Sequence, residues 1–335
     1  YSIIVIDEVE QVLAHFLSDT IDTRRGEIFS LFGQLLEKSK KIIALDADLG
    51  WVSFVTLSML AKTRKTNKKK RITTTTFAPI NVHINNFFDS DREVEMFPNE
   101  TQITECFLRD INAGKRVFIT TNSKRKAKSI GESILEFAKE QGIARKVLTI
   151  TAENSKSKVI QSFIANIKTE ILKYDGAVTS PSLGTGVDIT FENGSREIDG
   201  VYGLFEARIN SHFEVDQQLA RVRNPGFVRV WISPQVFSFE TEFDVVREDF
   251  IADQAANSVF QFGESSLSPV KEGLSPFLML GTLVTMQQRA SKNLLRKNFV
   301  YLKMSQGWNV AVIPKDEHRA AVMEACLNLK KELSN

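Results

Sequence analysis

The apolar positions of the chain fall into short continuous runs separated by longer segments with helical spacing. The first run covers residues 2–6 and ends in Asp7-Glu8. Such a run reads as a parallel strand covered on both faces, where polar alternation is not needed. A helical pattern follows over 23–38, then a second apolar strand over 41–45 that ends in Asp46-Ala47-Asp48. Strand-like pieces without strong helical signal lie at 72–77 and 82–84. Alternation then resumes with helix 101–113, strand 116–121, helix 124–141, strand 146–151, helix 156–173 and strand 176–179. Further strands are expected at 200–206 and 228–233. Beyond residue 239 the pattern is helical, with a polar break near 261–275. Strands alternating with helices predict an α/β fold with mostly parallel sheets. The expected division is 1–100, 101–238 and a helical C-terminal region 239–335.

Composition adds limits. A chain of 335 residues can bury a sizeable core in two or three domains. Its formal charge of +2 is close to neutral, so affinity for nucleic acid must come from local basic patches. One candidate is 62–71, with seven basic residues and no acid, which reads either as a solvated connector or as a phosphate track. Another is Lys124, Arg125, Lys126 and Lys128, directly after strand 116–121. Cys106 and Cys326 have neither zinc spacing nor a disulfide framework, which points to a reducing, cytoplasmic-type compartment. The apolar stretch 277–286 is far short of the roughly 20 residues a membrane span needs, so no membrane partner is expected. The chain opens on Tyr1 and at once on a strand, so a preceding segment is expected.

Three segments carry candidate chemistry. In Val5-Ile6-Asp7-Glu8-Val9-Glu10 an apolar strand delivers two carboxylates to its end. That is the Walker B arrangement: the Asp holds the Mg²⁺ that bridges phosphates, and the Glu positions or deprotonates the attacking water. The same letters also occur at an ordinary helix N-terminus, where acids favour the dipole. The loop Thr179-Ser180-Pro181-Ser182-Leu183-Gly184-Thr185-Gly186-Val187-Asp188 combines hydroxyls, small residues and an acid after a strand. It suits either close approach to phosphates or a plain surface turn. In Asp216-Gln217-Gln218-Leu219-Ala220-Arg221-Val222-Arg223 a Gln and two arginines could stabilise transferring phosphate or simply cover a solvated helix face.

Order and spacing favour the chemical readings. Over about 1–235 the set resembles the superfamily 2 helicases: the Asp-Glu box, the Asp46-Ala47-Asp48 strand end, Val117-Phe118-Ile119-Thr120-Thr121-Asn122-Ser123, the Thr–Gly-x-Gly-x-Asp loop and the Gln-x-x-x-Arg-x-Arg segment. Asp-Glu-Val-Glu, the Leu-Asp-Ala-Asp-Leu strand end and Gln-Leu-Ala-Arg-Val-Arg look most like the herpesvirus origin-binding protein group and related bacterial, cyanobacterial-type plasmid replication proteins. The resemblance implies two RecA-like domains, the first truncated at its N-terminus, with ATP and Mg²⁺ between them. It implies DNA-helicase activity on single-stranded or forked DNA in plasmid or phage replication initiation, alongside other replication proteins. Asp7 would hold the magnesium and Glu8 would be the base. Asp46 and Asp48 would couple nucleotide state to DNA contact. Thr121, Asn122, Ser123, Thr179 and Ser180 would touch the strand backbone. Gly186 and Asp188 would lie near the nucleotide, and Gln217, Arg221 and Arg223 would act across the cleft.

Two departures qualify the carry-over. The usual final motif has a Gly before its first Arg and a second Arg three positions later; here Ala220 and Asn224 stand there and Arg223 comes one residue early. No Gly-x-x-x-x-Gly-Lys-Ser/Thr cradle occurs in the chain. In the family it precedes the Asp-Glu box, so the chain alone is expected to bind ATP poorly and not to turn it over. A restriction or remodelling motor, an RNA helicase and a non-hydrolysing DNA-binding scaffold are the rival readings. Trp51 is read as a packing residue with base stacking as its alternative, and His15, His83, His212 and His318 as ordinary structural residues.

Overall fold

The computed structural model describes residues 2–18, 21, 24–67, 72–77, 79–85, 91–183, 187–261 and 275–316. Packing divides the chain into two units that each draw on two stretches of sequence: Tyr1–Asn86 with Ser238–Ala290, and Phe87–Phe237 with Ser291–Asn335. The helical tail is therefore shared between the units.

In the first unit β1 (Ile3–Ile6) is followed by α1 (Val9–His15), α2 (Arg25–Lys38), β2 (Lys41–Ala44) and α3 (Trp51–Leu60). β1 and β2 pair in parallel, Ile3 opposite Lys41 and Ile6 opposite Ala44. The expectation of a strand buried on both faces is corrected here. β1 alternates, with Ile3 and Val5 exposed by 55% and 59% while Ile6 joins the core. That core is built from Val9 and Leu13 of α1, Phe29 and Leu36 of α2, Val52 of α3, and Leu280, Leu283 and Val284 from later in the chain. Phe16 packs edge-on against Phe29 at 5.3 Å between centroids. The basic stretch contributes β3 (Lys62–Asn67), antiparallel to β4 (Ile72–Phe77). Residues 82–84, expected as a strand, have no ladder partner among the described residues, and Ile84 is 77% exposed.

The second unit is a single parallel sheet. Its strands are β5 (Glu93–Met96), β6 (Val117–Thr121), β7 (Val147–Ile150), β8 (Gly176–Thr179), β9 (Gly200–Phe205), β10 (Phe227–Ile232) and β11 (Asn309–Val312). The spatial order is β11-β5-β10-β9-β6-β8-β7, and every pairing is parallel. The intervening helices are α4 (Glu100–Asn112), α5 (Lys124–Glu140), α6 (Lys158–Ala165), α7 (Ile167–Glu170) and α8 (His212–Leu219). The expected helix 156–173 is thus broken, and Asn166 supplies the junction between α6 and α7. Separate apolar clusters cover the two faces, one around Phe118, Val201 and Phe205, the other around Phe107, Ile119 and Tyr202. The α/β class with a mostly parallel, helix-flanked sheet stands as read.

The tail adds α9 (Phe243–Gln261), α10 (Pro276–Asn293) and α11 (Leu295–Ser305), and then β11 returns to the sheet edge beside β5. Neither β5 nor β11 was expected from the pattern. Among the described residues no helix is long and apolar enough to cross a membrane.

Candidate active site

Parallel pairing of β1 with β2 brings both carboxylate segments to one edge in the first unit. The ladder continues past the strands, with Leu45 N–H donating to the Ile6 carbonyl at 2.9 Å and Val9 N–H to the Leu45 carbonyl at 3.1 Å. Between them the chain turns sharply. Glu8 has φ 53° and ψ 50°, the left-handed region, at the N-cap of α1. For a residue with a Cβ this conformation costs roughly 1–2 kcal/mol. Asp7 and Glu8 are both exposed.

Behind them lies a relay that sequence reasoning missed. Asp46 accepts the Glu10 N–H on Oδ2 and the Asp48 N–H on Oδ1, each at 2.9 Å. Glu10 in turn accepts the Gly50 N–H at 2.7 Å, at the start of α3. A Cβ at residue 50 would stand 3.1 Å from the Glu10 carboxylate, so glycine permits this approach. Burial raises the Glu10 pKa and the Asp46 charge adds to it, while the hydrogen bond from Gly50 opposes the shift. Glu10 is the last letter of Asp-Glu-Val-Glu, but its partners lie 36 and 40 residues away, beyond any local signal.

The second unit gathers its own motifs at the ends of β6, β8 and β9. Thr121 is fully buried, and its Oγ1 accepts the Ser123 N–H at 3.4 Å. Asn122, 5% exposed, clips β6 to β9 by donating to the Glu206 carbonyl at 2.8 Å and accepting the Glu206 N–H at 3.0 Å. Ser123 caps α5 by accepting the Lys126 N–H. Thr179 is buried, and its Oγ1 has no hydrogen-bond partner among the described residues. Ser180, also buried, lies 2.5 Å from the Ser182 hydroxyl. Of these five expected strand contacts, Ser123 alone keeps exposed surface; the other four direct their polar groups into the unit.

Asp188 joins the loop after β8 to the arginine segment. It accepts Thr190 Oγ1 and Arg223 Nε at 2.7 Å each, and these partners hold its carboxyl below the usual range despite burial. A short parallel bridge lies beside this pair, with Ile189 N–H donating to the Arg221 carbonyl at 2.8 Å and Arg223 N–H to the Ile189 carbonyl at 3.2 Å. The two arginines therefore differ. Arg223 is exposed and ion-paired, whereas Arg221 Nη1 is buried with no partner among the described residues. Burial lowers the Arg221 pKa to about 10. Gln217 is exposed on α8, and its neighbour Gln218 is buried against Thr120 Oγ1 at 3.2 Å. Gly186 lies outside the described residues. The basic cluster after β6 is largely paired within the fold: Lys124 and Lys128 bind Glu153, and Lys126 binds Glu100 and Glu206.

Residues 1–83 match the family model described as origin of replication binding protein. A candidate replication origin-binding protein of Acanthamoeba polyphaga mimivirus is 22% identical over 232 residues, 68% of this chain. The chain spans about a quarter of that relative's length, 25%. Among solved structures, Mycobacterium smegmatis helicase Lhr bound to ssDNA and AMP-PNP is 16% identical with a TM-score of 0.40, over 80% of this chain and 32% of that one. Mss116p bound to ssRNA and AMP-PNP is 11% identical with a TM-score of 0.41, over 92% of this chain and 66% of that one. The resemblance read from the motifs is borne out by the family match over the carboxylate edge and α3.

Proposed function

We propose that this chain is the motor portion of an ATP-driven DNA helicase or translocase that opens duplex DNA during replication initiation on a plasmid or phage replicon. The observation that carries the reading is the carboxylate edge of the first unit. There Asp7 and Glu8 stand exposed at the end of a parallel strand, backed by the Glu10–Asp46–Gly50 relay. The family match over 1–83 and the mimivirus relative support a role at replication origins.

The residues present fit a nucleotide-borne magnesium ion. Mg²⁺ is usually held by one or two carboxylates together with phosphate oxygens and water. Asp7 would hold it, and once bound it would neutralise charge on the β- and γ-phosphates. Glu8 would orient the attacking water and take its proton. Arg221, whose buried Nη1 has no partner among the described residues, is the better candidate for charge stabilisation, and Gln217 would lie near the nucleotide. Arg223 would keep the arginine segment in register with Asp188. Gly186 and Asp188 would form the nucleotide side of that loop. Asp46 and Asp48 would pass the state of the carboxylate edge to α3. Ser123, with Thr121, Asn122, Thr179 and Ser180 shaping the strand ends beneath it, would meet single-stranded or forked DNA.

In the full-length protein Glu8→Gln is expected to bind ATP as the parent does and to lose DNA-stimulated hydrolysis by about 10²–10⁴-fold, the worth of a positioned base. Steady-state phosphate release against oligonucleotide concentration measures this. Unchanged turnover overturns the role of Glu8, and a parent protein that binds DNA without hydrolysing ATP supports the scaffold reading instead.

A further inference from the structure

Among the described residues α3 buries one side and leaves the other partly exposed. Val52, Ser53 and Thr56 face the core of the first unit, with relative exposures of 0%, 0% and 1%. On the opposite side Trp51 is 54% exposed and Phe54, one turn further on, is 44% exposed. Residues three apart on a helix share a face, so the two rings form one aromatic surface. Trp51, read from sequence as a packing residue, is about half packed here. Adjacent exposed apolar side chains, unlike a single one, are the kind of patch that marks a binding surface.

Charge identifies the cover. α3 leads through Ala61 directly into β3, whose sequence carries Lys62, Arg64 and Lys65 and no acid. Ten helical residues span roughly 15 Å, so an aromatic surface begins at one end of α3 and a basic strand at the other. Proteins that hold single strands combine these two elements, with rings on which bases stack and a positive track for the phosphates. Of the acids near Trp51 in sequence, Asp46 has both carboxylate oxygens held by backbone N–H groups.

We propose that the exposed face of α3, with β3 beyond it, is a single-stranded nucleic-acid path in which a base stacks on Trp51. The inference rests on the nucleic-acid motor reading above. It adds a contact in the first unit and links it to the carboxylate edge, since Gly50 precedes Trp51 and donates to Glu10. Trp51 is a binding residue in this scheme, and Glu10 a positioning residue acting through Gly50.

The test uses the 335-residue chain and a fluorescein-labelled oligothymidylate, with affinity read by anisotropy and tryptophan emission read with an unlabelled oligothymidylate. The chain has three tryptophans, and of the other two Trp231 is buried and Trp308 is half-buried. Saturating oligonucleotide is expected to quench emission in the parent and not in Trp51→Phe, which keeps its affinity within about threefold. Trp51→Ala is expected to bind about 5- to 150-fold more weakly, the loss of one stacked base. Arg64→Gln with Lys65→Gln is expected to reduce the salt dependence of binding. Unquenched emission with unchanged affinity in Trp51→Ala overturns the path and leaves the motor reading intact. A lowered melting temperature in Trp51→Ala with unchanged affinity overturns it in favour of a protein-covered face. A parent chain that binds no oligonucleotide overturns both.

Discussion

At the end of β1 the polar chemistry is open. Asp7 and Glu8 are exposed, and Glu8 is held in a conformation that disfavours it. At the ends of β6 and β8 the polar chemistry is mostly closed, with Thr121, Asn122, Thr179 and Ser180 buried by 95% or more. Both edges arise from the same construction, parallel strands delivering polar residues to their C-terminal ends. They differ because α4, α5 and α8 cover the larger sheet, whereas β1 and β2 leave Ile3 and Val5 exposed. A motif on a well-covered sheet acts first on its own fold. Asn122 clips two strands before it can do anything else.

The two arginines sharpen that contrast most. Arg223 has a carboxylate, and among the described residues Arg221 Nη1 has no partner. In the full-length protein Arg221→Ala is expected to lower kcat for DNA-stimulated ATP hydrolysis by about 10³-fold or more, the scale of an arginine that stabilises phosphoryl transfer. Arg223→Ala removes an exposed ion pair worth about 0.2–1 kcal/mol in stability, so a loss of tenfold or less is expected. The reverse ranking in single-turnover rates would make Arg223 the charge-stabilising group.

Next in size is the support beneath the arginine segment. Asp216 and Lys303 form a buried ion pair, and Gln306 Nε2 also reaches Asp216 at 3.0 Å. Lys303 lies over the Trp308 ring at 3.9 Å. Lys303→Ala strands a buried carboxylate and is expected to cost about 3–5 kcal/mol, seen as a lower denaturant midpoint for the transition of the second unit. A midpoint within about 0.5 kcal/mol of the parent would show that water satisfies Asp216.

How much of this was legible follows from where each signal sits. The carboxylate edge was readable because Asp7-Glu8 and Asp46-Ala47-Asp48 each end an apolar run, and parallel strands must deliver such ends to one edge. The helices α4 and α5 were readable from spacing, each nearly at its expected limits. β5 and β11 were not, because Glu-Val-Glu-Met and Asn-Val-Ala-Val are four residues long and gain strand identity only from pairing, β5 between β10 and β11 and β11 with β5. α3 was overlooked because Trp51-Val-Ser-Phe-Val-Thr-Leu-Ser-Met-Leu60 is apolar on nearly every side and shows little helical periodicity. Burial of Asn122 was invisible because its partner comes from elsewhere in the fold: it bonds to Glu206, 84 residues away.

A pH experiment compares the edges at a smaller scale. Burial lowers the His212 pKa to about 4, while Asp216 pulls the other way. A histidine with a depressed folded pKa favours its neutral form, so its contribution is present above the unfolded value near 6.5 and is lost as pH falls toward 4. The ring is partly solvated, so the expected loss over that window is roughly 1–2 kcal/mol after discounting for screening. His212→Gln is expected to flatten the stability profile of the second unit between those limits. An unchanged profile would assign the pH dependence to other groups.

The smallest effect isolates the strain at the open edge. Glu8 holds a left-handed backbone without a side-chain cap. Asn adopts this conformation more readily than Glu, so Glu8→Asn is expected to stabilise the first unit by about 0.5–1 kcal/mol. It removes the carboxylate, so the same variant is expected to lose DNA-stimulated hydrolysis in the full-length protein. Opposite signs in the two readouts are what a side chain held for chemistry at a cost to folding should give. If Glu8→Asn instead destabilises, the left-handed turn is fixed by contacts of the Glu side chain itself. The exposed carboxylate would then be part of the structure, and the contrast between the open and closed edges would narrow to Asp7 alone.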